Sequence, residues 1–236
     1  MFEKVKGDWP THERVILTSC DEQYFREYFP RFYKTYTEHW QIPLHIHVID
    51  PTEDSLTKLQ RLGVSYTHCE TDANILKWPY SYVTYCQAQR FILAGYKMRD
   101  NQTITLADID SYALRTPTAL QRERLGSAMA FTEYNDRLMA TFCTLHHSER
   151  ALVKHAAEKM KALIQNTDTL GVDQLVLKEV FGKMPYNLLT HGEWIRHRDV
   201  KTAKDLLRHN KCLIYHEKGT RGKGKGVKIE WTDIGL

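Results

Sequence analysis

Apolar residues recur along this chain in two rhythms. Val15-Ile-Leu-Thr-Ser-Cys20 is a short, almost continuous apolar run of the kind that a strand buried on both faces requires. His45-Ile-His-Val-Ile49, Val64 to Thr67 and Thr103 to Ala107 repeat it, and Ala128 to Thr132, Leu138 to Leu145 and Leu213 to His216 add three more predicted strands. Between them the spacing turns helical, from Asp21 to Trp40, Ser55 to Leu62, Tyr82 to Tyr96, Glu149 to Gln165 and Val172 to Phe181. The first helix is rich in aromatic residues, and Pro30 is expected to interrupt or kink it. Leu152, Ala156, Met160 and Leu163 share one face of the fourth helix, with Ser148 as its expected N-cap.

Strands alternating with helices imply a mainly parallel sheet covered by helices. Ligands of such sheets bind beyond the carboxyl ends of the strands. Cys20-Asp21, Asp50 and Asp108-Ile-Asp110 all fall at carboxyl ends and are expected to converge on one crevice. Asp108 and Asp110 are spaced to point the same way if the chain there is extended. Two such carboxylates repel unless a cation lies between them, and hard oxygen ligands suit Mg²⁺ or Mn²⁺. An isolated D-x-D is more often a turn, since aspartate is common in turns. Its place after an apolar strand, and ahead of a predicted turn at Thr116-Pro117, brings the metal reading forward.

A length of 236 residues, 42% hydrophobic and 26% charged, fits one α/β domain over 1–236. The net charge of +4 is mild, and part of it comes from a basic loop at 217–228. In that loop Gly219, Gly222, Gly224 and Gly226 alternate with cations, a composition that lets backbone and charge approach phosphates. A solvated loop or a nucleic-acid contact fits the same residues. The five cysteines form no C-x-x-C pair and are expected to be free thiols. Met1 to Pro10 lacks a leader's apolar stretch, and no run is long enough to span a membrane, which predicts a cytoplasmic protein. Asp173-Gln174 opens a helix, where Asp173 suits the helix dipole. Arg90 lies in the helix before the D-x-D strand, either at the surface or bracing one of its carboxylates. No G-x-G-x-x-G, Walker A or G-x-S-x-G motif is present.

In order and spacing these segments resemble nucleotide-sugar glycosyltransferases of the GT-A fold, nearest to the glycogenin and lipopolysaccharide galactosyltransferase group. Val15 to Tyr24 is similar to that family's nucleotide-binding opening, Tyr85-Cys-Gln-Ala-Gln-Arg-Phe91 to its arginine helix, and Ala107-Asp-Ile-Asp-Ser111 to its D-x-D strand. Asp173-Gln174 resembles the family's D-Q pair, and His216-Glu-Lys-Gly219 its C-terminal H-x-x-G. The chain departs from the family in having no Asn-x-Gly segment at Ala140 to Thr144, and Gly222-Lys-Gly-Lys225 in place of Lys-Pro-Trp.

The resemblance implies a GT-A-like (Rossmann-like) mixed, mainly parallel sheet flanked by helices. It implies transfer of a sugar from a nucleoside diphosphate sugar, a UDP-sugar above all, with retention of configuration. Thr18, Ser19, Tyr24, Arg90, Asp108, Ile109, Lys218, Gly219, Arg221 and Lys223 would hold the nucleotide and diphosphate. Asp108, Asp110 and His216 would hold Mn²⁺ or Mg²⁺, and Asp173 and Gln174 would serve the donor sugar as the catalytic pair. The acceptor is left open among a glycan, a lipid-linked sugar, a protein and a nucleic acid. The alternative class is a nucleic-acid-binding or nucleic-acid-modifying protein that uses the basic 221–228 run.

Overall fold

Asp21 separates the first long strand from the first helix. A two-residue strand, β1 (Lys6–Gly7), precedes β2 (Arg14–Asp21), and α1 (Glu22–His39) follows directly. Asp21 keeps extended backbone, and its carboxylate accepts the Tyr24 N–H at 3.0 Å, supplying one of the orphan donors at the helix start. Pro30 lies inside α1 without interrupting it, so of the break and the kink that the sequence allows, the break does not occur. It removes one backbone donor, but burial of Phe25, Phe29, Phe32 and Tyr36 along one stripe outweighs that loss.

The computed structural model describes residues 4–71, 80–134, 137–166, 168–189, 193–196 and 212–217. Next in the chain come β3 (Leu44–Ile49), α2 (Glu53–Arg61), β4 (Ser65–Cys69), α3 (Ser81–Lys97) and β5 (Thr103–Ala107). They are followed by β6 (Ser111–Ala113), α4 (Ala119–Gly126), β7 (Ala130–Tyr134) and β8 (Arg137–Leu145). The remaining elements are α5 (Arg150–Asn166), α6 (Val172–Phe181), β9 (Asn187–Leu189), β10 (Trp194–Arg196) and β11 (Ile214–His216). Ser148 is not the N-cap of α5: it lies inside a 3-10 turn, His147–Glu149, and the His146 ring accepts its N–H at 3.3 Å. Thr116-Pro117 leads into α4, which Thr118 and Gln121 open with a reciprocal capping box.

Eight strands form one sheet in the order β1-β4-β3-β2-β5-β8-β7-β9. β4, β3, β2 and β5 are parallel, while β8 is antiparallel to both β5 and β7. The chain steps outward from β2 to β3 and β4, then returns to β5 on the other side of β2. The carboxyl ends of β2 and β5 thus flank a switch point, where open sheets of this kind leave a crevice.

Side-chain alternation divides the core. Ile16, Cys20, Ile46 and Val48 belong with the aromatic face of α1, whereas Val15, Leu17, Ile104 and Leu106 belong with α3, α5 and α6. α3 and α5 approach closely at Gly95, where an added Cβ would stand 2.3 Å from the Ala157 Cβ. A second, three-stranded sheet, β10-β11-β6, stands beyond the exit of β5. All five cysteines are free thiols, as expected.

Candidate functional site

β5 ends at Ala107, and the chain turns at once. The Ser111 N–H donates to the Asp108 carbonyl at 2.9 Å, and the Ser111 hydroxyl donates to the same oxygen at 2.6 Å. Asp108 and Asp110 therefore sit on a tight turn, not on an extended strand end. The turn and the paired carboxylates prove to be one feature: folding the chain back presents both side chains to the small sheet. The Tyr36 hydroxyl supports the turn from α1, 3.1 Å from Ser111 Oγ. Ile109 turns its side chain into the core.

The small sheet brings the third group. β11 runs antiparallel to β6 with His216 opposite Ser111, and the Glu217 N–H donates to the Asp110 carbonyl at 2.9 Å. His216 Nε2 lies 3.6 Å from Asp108 Oδ2 and 3.4 Å from Asp110 Oδ1. One ligand atom from each residue falls within 4.8 Å of the others, a spacing that could hold a metal ion. Two carboxylates and an imidazole suit a divalent transition metal.

Arg90 stands behind the aspartates at 3% side-chain exposure. Its Nη2 lies 2.6 Å from Asp108 Oδ1 and 3.9 Å from Asp173 Oδ2, and donates to the Ala140 carbonyl at 3.0 Å. One guanidinium thus links the D-x-D turn, β8 and the first turn of α6. Asp173 is buried and accepts the Gln174 N–H at 2.9 Å, so it serves its helix start and the arginine together. Gly171, left-handed at φ 74°, turns the chain into that helix.

Burial raises the Asp108 carboxyl; the Arg90 guanidinium opposes this, Asp110 adds to it, and the group ends above its ordinary range. Asp173 is likewise raised by burial, with Arg90 opposing. Burial favours a neutral His216 ring, but Asp110 and Asp108 outweigh it and raise the group. The cluster thus draws positive charge, which a proton or a metal ion can supply in competition.

The remaining predicted residues are placed as follows. Thr18 and Ser19 lie in the second half of β2, short of its end at Asp21; both hydroxyls are buried and lack a hydrogen-bond partner. Tyr24 lies on the first turn of α1, its ring 5.1 Å from that of Tyr28. Asp21 and Asp50 each bind backbone at a strand exit. Asp21 caps α1, while Asp50 accepts the Thr71 N–H at 2.6 Å and its hydroxyl at 2.5 Å, tying the exit of β3 to that of β4. Lys218, Gly219, Arg221, Lys223 and the rest of the basic run lie outside the described residues. Sequence reasoning missed Ser111 and Tyr36 as supports of the turn; the serine's place directly after Asp110 was the available signal. Among the described residues no helix is long and apolar enough to cross a membrane.

No protein-family model and no curated protein matches the chain. Among solved structures, the chain is similar to the apo-form glycosyltransferase GlyE of Streptococcus pneumoniae TIGR4, with a TM-score of 0.61 at 13% sequence identity. The match covers 94% of this chain but 59% of that one, so this chain spans well under two thirds of its neighbour's length. The likeness is one of fold: the mixed, mostly parallel sheet and flanking helices described above are those of a solved glycosyltransferase.

Proposed function

We propose that this chain is a metal-dependent glycosyltransferase of the GT-A type, moving a sugar from a nucleoside diphosphate sugar, UDP-linked above all, to an acceptor. The observation that carries the reading is the Asp108, Asp110 and His216 cluster at the switch point of a glycosyltransferase-like sheet.

Asp108, Asp110 and His216 would hold the ion, and the imidazole favours Mn²⁺ over Mg²⁺. A metal bound there supplies Lewis acidity toward the leaving diphosphate, whose charge grows as the glycosidic bond breaks. Arg90 fixes the orientation of Asp108 from behind, so that the carboxylate meets its ligand without reorganising. Asp173 and Gln174 would face the donor sugar, with Asp173 held by the same arginine. Thr18, Ser19 and Tyr24 would take the nucleoside side of the donor. The cations Lys218, Arg221 and Lys223, with Gly219 between them, would neutralise the diphosphate, and the H-x-x-G ending supports retention of configuration.

The test is a ligand-induced thermal shift together with donor hydrolysis. With Mn²⁺ present, UDP should raise the melting temperature, and a UDP-sugar should be hydrolysed slowly. No shift with any nucleoside diphosphate, with or without metal, would overturn the reading.

A further inference from the structure

Consecutive residues of an extended strand face opposite ways. His216 turns toward Asp108 and Asp110, whereas Glu217, just past the end of β11, carries its carboxylate to the Tyr112 side of the strand. It is received on that side by two partners. The Tyr112 hydroxyl donates to Glu217 Oε2 at 2.9 Å, and Arg31 Nη1, from the middle of α1, stands 3.3 Å from the same oxygen. The Arg31 guanidinium also lies over the Tyr112 ring, 5.4 Å from its centroid. On the main chain, the Glu217 N–H is bound to the Asp110 carbonyl at 2.9 Å. The residue after His216 is thus held at both its backbone and its side chain, and by three separate elements.

We propose that Glu217 is a positioning residue for the metal site: it anchors the end of β11 to α1 and β6 and so fixes the His216 ring against the two aspartates. The inference rests on the metal reading given above.

Three observations carry it. First, β11 is only three residues long, and the pairs that His216 makes with Arg196 and Ser111 are the last of both its ladders. Second, His216 is that last residue, where strand ends fray unless tied down. Third, the tie at Glu217 is charge-assisted and partly buried, with side-chain exposures of 33% for Arg31 and 16% for Glu217. Its carboxylate is committed to Tyr112 and Arg31 and is not among the clustered ligand atoms, so it acts through its neighbour. Without the tie, the imidazole would have to be ordered by the ion itself, and the affinity would fall by that ordering cost.

The test uses the full chain and Mn²⁺ alone. Calorimetric titration of Glu217→Ala should show Mn²⁺ binding weakened by about 10- to 100-fold, the range typical of groups that orient metal ligands. The spin-echo spectrum of bound Mn²⁺ should show imidazole nitrogen coupling in the unaltered protein and lose it in Glu217→Ala. Glu217→Gln retains an acceptor for Tyr112 and should recover part of the affinity, and Tyr112→Phe should lose part of it. If Glu217→Ala does not fold, those two conservative variants carry the comparison. Unchanged affinity and unchanged nitrogen coupling in the variants, with Mn²⁺ bound by the unaltered protein, would overturn this inference alone. Absence of Mn²⁺ binding by the unaltered protein would overturn the metal reading and this inference with it.

Discussion

Arg90 Nη2 lies 2.6 Å from Asp108 Oδ1 and 3.9 Å from Asp173 Oδ2, so a single buried cation holds a half-buried acid and a buried one in place. Removing it strands both carboxylates. Arg90→Ala should therefore destabilise the fold by about 3 kcal/mol, the usual cost of breaking a buried pair from one side. Urea denaturation reads the loss directly. Asp173→Asn in the Arg90→Ala background should restore part of it, because one of the two stranded charges is then gone.

Asp110 meets His216 at 3.4 Å and belongs to the cluster, and asparagine keeps its shape while removing its charge. Asp110→Asn is expected to fold normally yet show no Mn²⁺-dependent rise in melting temperature. In the unaltered protein Mn²⁺ at a hundred times its Kd should add about 2.7 kcal/mol of stability, and a chelator should remove it.

His45 and His47 lie inside the sheet in a buried chain of polar groups. His45 bonds Ser65 Oγ at 2.8 Å and Thr67 Oγ1 at 3.0 Å; the same Thr67 oxygen bonds His47 at 3.0 Å. His47 then meets Cys69 Sγ at 3.4 Å, and Cys69 meets the Tyr85 hydroxyl at 3.3 Å. Burial depresses both rings to about 3, from an ordinary value of 6.5. The unfolded chain thus binds more protons between those values. Stability contributed by the neutral rings is full above pH 6.5 and is lost as pH falls toward 3, by about 1.4 kcal/mol per pH unit for each ring. Urea midpoints from pH 7 to 4.5 should fall accordingly, and the two ring resonances should not titrate in the folded protein at pH 5.

Gly95 lets α3 and α5 approach. Its missing Cβ would meet the Ala157 Cβ at 2.3 Å and the Val153 carbonyl oxygen at 3.0 Å. Gly95→Ala should cost about 2 kcal/mol through overpacking. Ala157→Gly in the same chain should recover more than half, as a thermal melt of the double variant would show.

The parts of the fold legible in the sequence are those with long local signals. β2 and β5 are apolar runs with clear ends, and α5 has an unbroken stripe, so each was placed within a residue or two. The short strands β6, β9 and β10 escaped because three residues carry no period, and their pairing is decided by partners far away in the chain. α4 escaped because Leu125 is its one buried side chain, although Thr118 and Gln121 spelled out its capping box. Ser148 misled because it obeyed a local preference that the adjacent turn overrode, and Pro30 is carried inside α1 without a break. At the site, the aspartates were legible as a pair and His216 as a third group by resemblance. The bracing by Arg90 was one of two readings, and which of them holds depended on how α3 lies against β8. Glu217, Tyr112 and Arg31 left no sequence trace at all, because their meeting depends on a strand register and on α1 crossing β6.

The pairing of β6 with β11 joins residues 111–113 to residues 214–216. On a ribosome, the two aspartates leave the exit tunnel about a hundred residues before the histidine does, so the large sheet can be assembled while the cation site is still two-thirds built. A chain released short of His216 would keep its parallel strands and its D-x-D turn but offer an ion only two ligands. If the cluster binds its ion as proposed, metal retention would mark a chain made through the last described strand, and a product shortened before His216 should show no Mn²⁺-dependent rise in melting temperature even where it folds.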